Sequence, residues 1–389
     1  MKTVRIGLLW HSDRSGNLGV GALTVGNIAL VRQVAAELGI APHFVILGFA
    51  DAGTPYLDDP DVTFEAAAGR TAAAFAQSIG RCDAVLDIGA GDSFTDIYPA
   101  KRLAWLIASK AAAIVQRVPL VFSPQTIGPF DGATATKRTL GRAAVWTMRR
   151  ARAVAVRDDR SRDAVRALAP GVEPVYAVDV AFALPWMRPA PAPGERRIGL
   201  NVSGLLWRGG YTGKGEFNLG YDYRAVMTGL IEALLAAGDC TVELICHVNG
   251  YASSPDDDGA VADELAAAYP ALVRVPDFAS PSAAKSYISG LDALVAARMH
   301  ACIAAFSSGV PVVPVSYSRK FEGLFGSLGY THLVPCTGMG TDAALAFVRG
   351  ALTEPEALRR DVAAGLERVE ARLEAYRQVL RAVLTEAAR

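Results

Sequence analysis

Residues 292–325, DALVAARMHACIAAFSSGVPVVPVSYSRKFEGLF, read as strand, turn, helix, strand, turn, helix. Residues 292–295 form a short apolar strand, and Arg298, Met299 and His300 lie where it gives way to a helix. The helix over 301–308 is built of small residues that can pack closely on a sheet, and Gly309 ends it. Residues 310–315 are the next buried strand, followed by Ser316, Tyr317 and Lys320. In an open parallel sheet both polar groups fall at carboxyl ends of strands, where such folds bind ligands. Two cations and an imidazole on one rim suit a small anionic substrate and a proton transfer. Taken singly, Arg-x-His also occurs as a salt-bridged core pair and Lys320 as a solvated helix residue. Their joint placement after two successive strands favours a site.

The same alternation runs toward the N-terminus. Residues 4–10 are a buried strand, and HSDRSGNLGVGALTVGN then opens through a glycine-rich loop into a helix that lasts to residue 38. Such loops present backbone N–H groups at a helix start, which attracts anions; a tight turn without ligand reads equally well. The segment contains Asn17 and Gly19, but no G-x-G-x-x-G fingerprint and no P-loop lysine. A strand at 44–47, a loop at 51–65 and a helix at 66–79 follow. The strand at 84–88 ends in GAGDSFTDIY, where Gly89 and Gly91 allow close backbone approach and Asp92, Ser93 and Asp96 add polar groups. A helix at 100–116 leads to a strand at 120–123 that ends in PQTIGPF, with Gln125 at its edge. A helix at 134–150, a strand at 153–156 with Arg157 and Asp158 directly after it, Ser161 in the next helix, and a strand at 175–178 before Asp179 complete the half. Polar residues thus cluster after strands, the signature of a doubly wound α/β domain.

WMRPAPAPGERR, residues 186–197, breaks the pattern, because alternating Pro and Ala favours an extended linker. The alternation restarts with strand 198–202. A glycine-rich excursion over 203–220 carries Trp207, Tyr211 and Phe217 and is expected as a mobile loop that closes over the cleft with ligand, with a disordered surface insertion as the alternative. Next come a helix at 223–237, a strand at 242–247, an acidic run at 256–258 expected as a solvated loop or helix start, a helix at 260–269, a short strand at Val273, and a helix from 281. Past the opening stretch, 332–334 reads as a last strand, 342–350 as a helix and 355–388 as a long Ala, Arg and Glu-rich helix. The expected organisation is α/β: a Rossmann-like domain over 1–187, a second over 196–352, and a C-terminal helix over 353–389. Two doubly wound domains facing across a cleft describe a GT-B-like architecture.

The 389 residues suffice for two domains, and 51% of them are hydrophobic. Lys plus Arg and Asp plus Glu both count 39, so bulk charge gives no reason for a nucleic-acid or membrane-surface partner. The five cysteines, Cys82, Cys240, Cys246, Cys302 and Cys336, have no C-x-x-C spacing. Neither a disulfide framework nor a metal site is expected, and a reducing cytoplasm is the default. MKTVRIGLLW reads as a first strand rather than a signal peptide, and no run of eighteen apolar residues marks a membrane span.

Several short motifs, in order, resemble the polysaccharide pyruvyl transferases. Asn17–Gly19 is similar to that family's N-x-G-D, 89–96 to its G-G-G-x-x-x-D, 125–129 to Q-x-I-G-P, and Arg157, Asp158 and Ser161 to R-D-x-x-S. Residues 179–182 resemble D-x-x-F, and 298–300 with 317–320 match the C-terminal pair R-x-H and Y-x-x-K. Two positions depart: Val20 stands where the family has Asp, and Ala90 replaces the second Gly. The resemblance implies transfer of a pyruvyl group from phosphoenolpyruvate, as co-substrate and with no cofactor, onto two hydroxyls of a sugar or lipid-linked saccharide. Arg157, Arg298 and Lys320 then serve as cations for the donor's carboxylate and phosphate, and His300 as the acid or base. Asn17, Gly19, Gly89, Gly91, Asp92 and Gln125 line the acceptor side, with Asp92 and Gln125 at hydroxyls, and Ser316 and Tyr317 the donor side. Facing domains would bring all four catalytic residues to one cleft. A GT-B glycosyltransferase using a nucleotide sugar and a non-catalytic carbohydrate-binding relative are the alternatives. Homo-oligomerisation is compatible with the sequence, which names neither the acceptor sugar nor the ketal stereochemistry.

Overall fold

A computed structural model describes residues 2–48, 51, 53–66, 71–190, 194, 196–249 and 254–389. The chain divides into two compact units. The first comprises Met1–Ser15, Leu23–Ala183 and Glu370–Arg389; the second comprises Gly16–Ala22 and Leu184–Val369.

In the first unit, apolar runs form the parallel strands β1 (Lys2–Leu9), β2 (Ile40–Gly48), β3 (Val62–Ala66), β4 (Ala84–Asp87), β5 (Leu120–Gln125), β6 (Ala153–Val156) and β7 (Val175–Tyr176). Among the described residues they make one sheet in the order β3-β2-β1-β4-β5-β6-β7. The stretch expected as a loop over 51–65 therefore ends in an edge strand. Thr63 and Phe64 sit beside Val45 and Ile46 of β2, whose backbone needs partners on both sides. The helices are α1 (Leu18–Leu38), α2 (Ala72–Gly80), α3 (Ala100–Val115), α4 (Ala135–Arg150) and α5 (Asp159–Leu168). The helix expected from residue 66 starts later, capped by Thr71, and residues 67–70 lie outside the described set. By length and hydropathy α1 is apolar enough to cross a membrane, yet 78% of its most apolar window is buried in the protein.

The second unit holds β8 (Arg196–Asn201), β9 (Cys240–Leu244), β10 (Val273–Arg274), β11 (Ala293–Ala296) and β12 (Val312–Pro314), parallel in the order β10-β9-β8-β11-β12. Its helices are α6 (Gly204–Trp207), α7 (Tyr223–Ala237), α8 (Asp258–Ala268), α9 (Pro281–Ile288), α10 (Met299–Ser307), α11 (Arg319–Ser327), α12 (Thr341–Thr353) and α13 (Pro355–Ala387). Residues 332–334 contribute a single bridge, Val334 to Val315, rather than a strand. In α10, Ala301, Ala304 and Ala305 are buried, so the helix lies close on its sheet, and Gly309 ends it with φ +78°. A side-chain carbon at Gly365 would lie 2.5 Å from Phe306 Cζ, so α13 meets α10 at a position only glycine fits.

The expected linker at 186–197 includes residues 191–193 and 195, outside the described set. Its first part belongs to the second unit. Lys285 Nζ donates to the Leu184 carbonyl (2.9 Å), the Met187 N–H to Ser286 Oγ (3.0 Å), and Arg188 Nη2 to the Ser308 carbonyl (2.8 Å). The long terminal helix is shared. Residues 370–387 belong to the first unit, where the Tyr376 hydroxyl donates toward Asn27 Oδ1 (3.0 Å) or Ser123 Oγ (2.8 Å) inside a buried group that includes His11.

Candidate functional site

Each sheet has one switch point, where successive strands leave in opposite directions: between β1 and β4 in the first, between β8 and β11 in the second. At the second, Asn201 ends β8. Its Oδ1 accepts from the Arg298 N–H (2.9 Å), and its Nδ2 donates to the Ile245 carbonyl (2.8 Å) and to Asp258 Oδ2 (3.2 Å). Asp258 is fully buried and also accepts the backbone N–H groups of Gly204, His247 and Val248 at 2.9, 3.1 and 3.2 Å. The Arg298 guanidinium completes this hub, with Nη2 2.7 Å and Nε 3.1 Å from Asp258 Oδ1. The remaining nitrogen, Nη1, pairs with Asp256 Oδ1 at 2.7 Å.

The acidic run is the helix start that was one of its two expected forms: Asp257 caps α8 by accepting from the Ala260 N–H (3.2 Å), and Asp258, its first residue, is the buried counter-ion of Arg298. Arg298, expected to face substrate, is 7% exposed with every guanidinium nitrogen held by the protein. Burial opposes its charge, but Asp258 and Asp256 outweigh burial and hold its pKa above the ordinary value. These contacts fix the start of α10, the helix that carries His300.

His300 is the second residue of α10 and half-buried. The glycine segment near the N-terminus packs against it, within the second unit. Asn17 makes an antiparallel bridge with Val248, the Leu18 N–H donates to the His247 carbonyl (3.1 Å), and the Asn249 N–H to the Gly16 carbonyl (3.0 Å). Asn17 Oδ1 accepts from the Gly19 N–H (3.0 Å), and a side-chain carbon at Gly19 would lie 2.8 Å from His300 Cγ. Asn17 and Gly19 therefore belong with His300, and not on the first domain as the division at residue 187 implied. His247 was not singled out from the sequence. It is buried in the same cluster, and burial, then the charges of His300 and Arg298, lower its pKa to about 3, so it is a neutral imidazole. Its placement as a polar residue just after β9 was the available signal.

At the neighbouring strand end, Ser316 is buried. Its Oγ donates to the Ser318 carbonyl (2.8 Å), and its carbonyl accepts from the Tyr221 hydroxyl (2.6 Å). Tyr317 is half-buried, edge-on to Phe217 (5.1 Å) and Phe321 (5.4 Å). Lys320 is half-buried in the first turn of α11.

In the first unit, Arg157 directly follows β6 and is 5% exposed. Its Nη1 donates to Asp179 Oδ2 (2.5 Å) and its Nε to Thr126 Oγ1 (3.1 Å). Burial opposes its charge, and Asp179, Asp158 and Asp92 raise its pKa in net. Asp158 caps α5 at the Ser161 N–H (2.8 Å), and Ser161 Oγ accepts from the Ile127 N–H (3.0 Å), tying the 125–129 loop down. Gly89, Ala90 and Gly91 have φ of +54°, +51° and +83°, three successive left-handed residues that turn the chain sharply after β4. Asp92 is half-buried and accepts from the Tyr98 hydroxyl (3.2 Å). Gln125, expected at a sugar hydroxyl, is fully buried. Its Nε2 donates to the Asp87 carbonyl (2.8 Å) and Oδ2 (3.0 Å), and the other Asp87 oxygen pairs with buried Lys110 (2.9 Å). The Gln125 amide nitrogen thus braces the strand ends.

The structure therefore groups Asn17, Gly19, Arg298 and His300, with Ser316, Tyr317 and Lys320 at the next strand, in the second unit. Gly89, Gly91, Asp92 and Arg157 lie in the first.

The family described as polysaccharide pyruvyl transferase matches residues 31–319. No curated protein matches. Among solved structures, UDP-GlcNAc 2-epimerase from Neisseria meningitidis, bound to UDP-GlcNAc, is similar with TM-score 0.56 and 10% identity, over 94% of this chain and 98% of that one. The α,α-trehalose 6-phosphate synthase from Burkholderia multivorans gives 0.54 and 14%, over 99% and 98%. UDP-GlcNAc 2-epimerase from Methanocaldococcus jannaschii gives 0.54 and 9%, over 91% and 92%. At these identities the likeness concerns the fold alone: a pair of Rossmann-like units of the GT-B type.

Proposed function

This chain belongs to the polysaccharide pyruvyl transferase family, and from that premise we propose that it transfers a pyruvyl group from phosphoenolpyruvate to two hydroxyls of a saccharide as a cyclic ketal. The observation that carries the reading is the seat of His300. The imidazole stands at the switch point of the second sheet, its helix start is locked through Arg298 and Asp258, and Gly19 lies directly against it. That is the rigid mounting an acid–base group needs.

The chemistry runs in steps that balance. His300 in its protonated form gives a proton to C3 of phosphoenolpyruvate, leaving positive charge at C2. One saccharide hydroxyl adds to C2 and loses its proton back to the imidazole. The C2–phosphate bond then breaks, phosphate leaves with the electron pair, and the second hydroxyl closes the ring, its proton leaving with phosphate. Lys320 is the cation that meets the donor phosphate or carboxylate. Arg298 holds geometry and not substrate, and Arg157 works through its pair with Asp179. The reaction as written uses no cofactor. Phosphoenolpyruvate as donor implies the cytoplasm, and the acceptor is a surface-polysaccharide precursor, free or lipid-linked.

The test is incubation with phosphoenolpyruvate and a panel of methyl glycosides, followed by phosphorus and carbon NMR. Inorganic phosphate and a new ketal carbon are expected together. Turnover of nucleotide sugars in place of phosphoenolpyruvate would favour the glycosyltransferase alternative and end this reading.

A further inference from the structure

The excursion expected as a mobile loop over 203–220 is a folded cup. Ser203 caps α6, and the N–H groups of Gly209 and Gly210 donate to the carbonyls of Leu206 (3.1 Å) and Leu205 (2.8 Å). Gly209, Gly210, Gly213 and Gly215 all take positive φ, and Asn218 joins them at +46°. The Gly215 N–H then closes the loop on the Gly209 carbonyl (2.8 Å), and the Gly220 N–H anchors it to the Cys336 carbonyl (2.9 Å). The loop curls around a hollow of about 550 Å³ whose walls include Trp207, Phe217, Tyr221 and Tyr223. That volume is in the range of small-molecule sites.

We propose that this hollow binds a neutral saccharide ring and is the acceptor subsite of the reaction above, on which the assignment as acceptor rests. Three observations carry it. First, the walls are aromatic, and the apolar C–H face of a pyranose lies flat on such rings. Trp207 is held in place: Arg224 Nε donates to the Trp207 carbonyl, and the guanidinium lies 5.3 Å from the indole centroid. Second, the charged side chains of the lining are held by the protein: Arg208 pairs with Glu264, Arg224 lies over Trp207, and Asp222 caps α7 at the Ala225 N–H (3.1 Å). That leaves the aromatic faces as the main surface offered to a ligand. Third, the hollow adjoins the donor-side residues. Phe217 is edge-on to Tyr317 at 5.1 Å, and the Tyr221 hydroxyl holds the Ser316 carbonyl. A ring in the hollow is one aromatic contact away from the strand end that carries Lys320. This places the acceptor in the second unit, whereas the sequence put it on the glycine loops of the first.

The experiment is saturation-transfer NMR on the full chain with methyl β-glucoside, β-galactoside and β-mannoside, and with methyl N-acetyl-β-glucosaminide, alongside calorimetry with phosphoenolpyruvate. At least one glycoside should receive saturation. Trp207→Ala should weaken its binding at least about tenfold, while phosphoenolpyruvate affinity stays within twofold. Leu219→Trp, which fills the hollow instead of emptying it, should do the same and guards against a folding defect in the first variant. Glycoside binding that survives both substitutions overturns the site, as does wild-type protein that binds none of the four with phosphoenolpyruvate present. Displacement of the glycoside by uridine 5′-diphosphate would assign the hollow to a nucleotide and overturn it too. Glycoside binding at Trp207 in a protein that ignores phosphoenolpyruvate would sink the pyruvyl reading and leave the saccharide site standing.

Discussion

Gly19→Ala tests the site without touching any group that carries chemistry. The added methyl would press most closely on His300 Nδ1 and lie 2.8 Å from Cγ, whereas ordinary contact begins near 3.4 Å, so ring and helix start must part by more than the 0.6 Å difference at Cγ. Catalytic groups tolerate displacements of about 0.5 Å, and a shift of about 1 Å costs on the order of 10² in rate. The expected loss in turnover is thus about 10- to 100-fold. Stability should fall modestly as well. Gly19 lies in the first turn of α1 and is not among the glycines with positive φ, so alanine fits its backbone and lowers the conformational entropy of the unfolded chain, worth about 0.4–1 kcal/mol. The methyl pressing on the imidazole costs about 1–3 kcal/mol whatever the role of the ring, so turnover per folded molecule is the quantity that decides.

The assay is phosphate release from phosphoenolpyruvate with the best glycoside of the panel, run beside a urea unfolding curve. A variant that stays folded in the assay and turns over 10- to 100-fold more slowly per folded molecule places His300 at the reacting atoms. Full turnover in Gly19→Ala would refute the reasoning, because an imidazole that can move this far and still work is not a positioned acid. Lost stability with turnover per folded molecule intact would refute it as well.

Other expectations follow from single contacts. His300→Gln should lower turnover by about 10²–10⁴ and leave the melting temperature and donor affinity nearly unchanged. Lys320→Ala should instead weaken phosphoenolpyruvate binding by about one to two orders of magnitude, the value of a charged hydrogen bond, as titration calorimetry would read. Asp258→Ala leaves the buried Arg298 charge with Asp256 as its one carboxylate partner. It should cost about 3–5 kcal/mol in urea unfolding, and a loss below about 1 kcal/mol would disprove the hub. Ala90 sits at φ +51°, so Ala90→Gly should raise stability by about 1 kcal/mol through relief of left-handed strain; a lower unfolding midpoint would contradict that. His11 and His247 both have pKa values lowered to about 3 from 6.5. The unfolded chain takes up their protons first, so their contribution is complete above pH 6.5 and is lost as pH falls toward 3. Each loses up to about 1.4 kcal/mol per pH unit. His11→Gln should flatten unfolding free energy between pH 6.5 and 5, and an unchanged slope would count against the burial argument.

The sheet strands were legible because hydrophobic runs punctuated by glycine and polar residues can satisfy their backbones in few ways. The edge strand β3 was not, since VTFEA lacks a continuous apolar run and is held in place by β2. Which polar residues end strands was legible as well, and this brought out Arg157, Arg298 and His300. What each such residue does was not, because local sequence does not reveal the partner of a charge. Arg298 reads as a donor clamp until Asp258, 40 positions earlier, is seen beneath it, and Gln125 reads as a sugar contact until Asp87 takes its amide.

The same blindness to partners bears on where the substrates sit. Glycine loops on the N-terminal half suggested the acceptor side, yet the loop at 16–22 leaves its own sheet's unit and packs at His247, Val248 and His300. A motif's place in the chain is therefore a poor guide to the substrate it serves. Two independent features of the second unit now converge on the same strand ends: the imidazole braced by Asp258 and backed by Gly19, and the aromatic hollow joined to Tyr317 through Phe217. Transfer of a pyruvyl group needs donor carbon, proton source and two hydroxyls within bonding distance at once. A saccharide held on Trp207 and a donor held by Lys320 would meet that need on the rim of a single sheet. That makes the paired outcome of Trp207→Ala and Lys320→Ala informative. The first should remove glycoside binding and the second phosphoenolpyruvate binding, and a variant that lost both would show that one site had been mistaken for two.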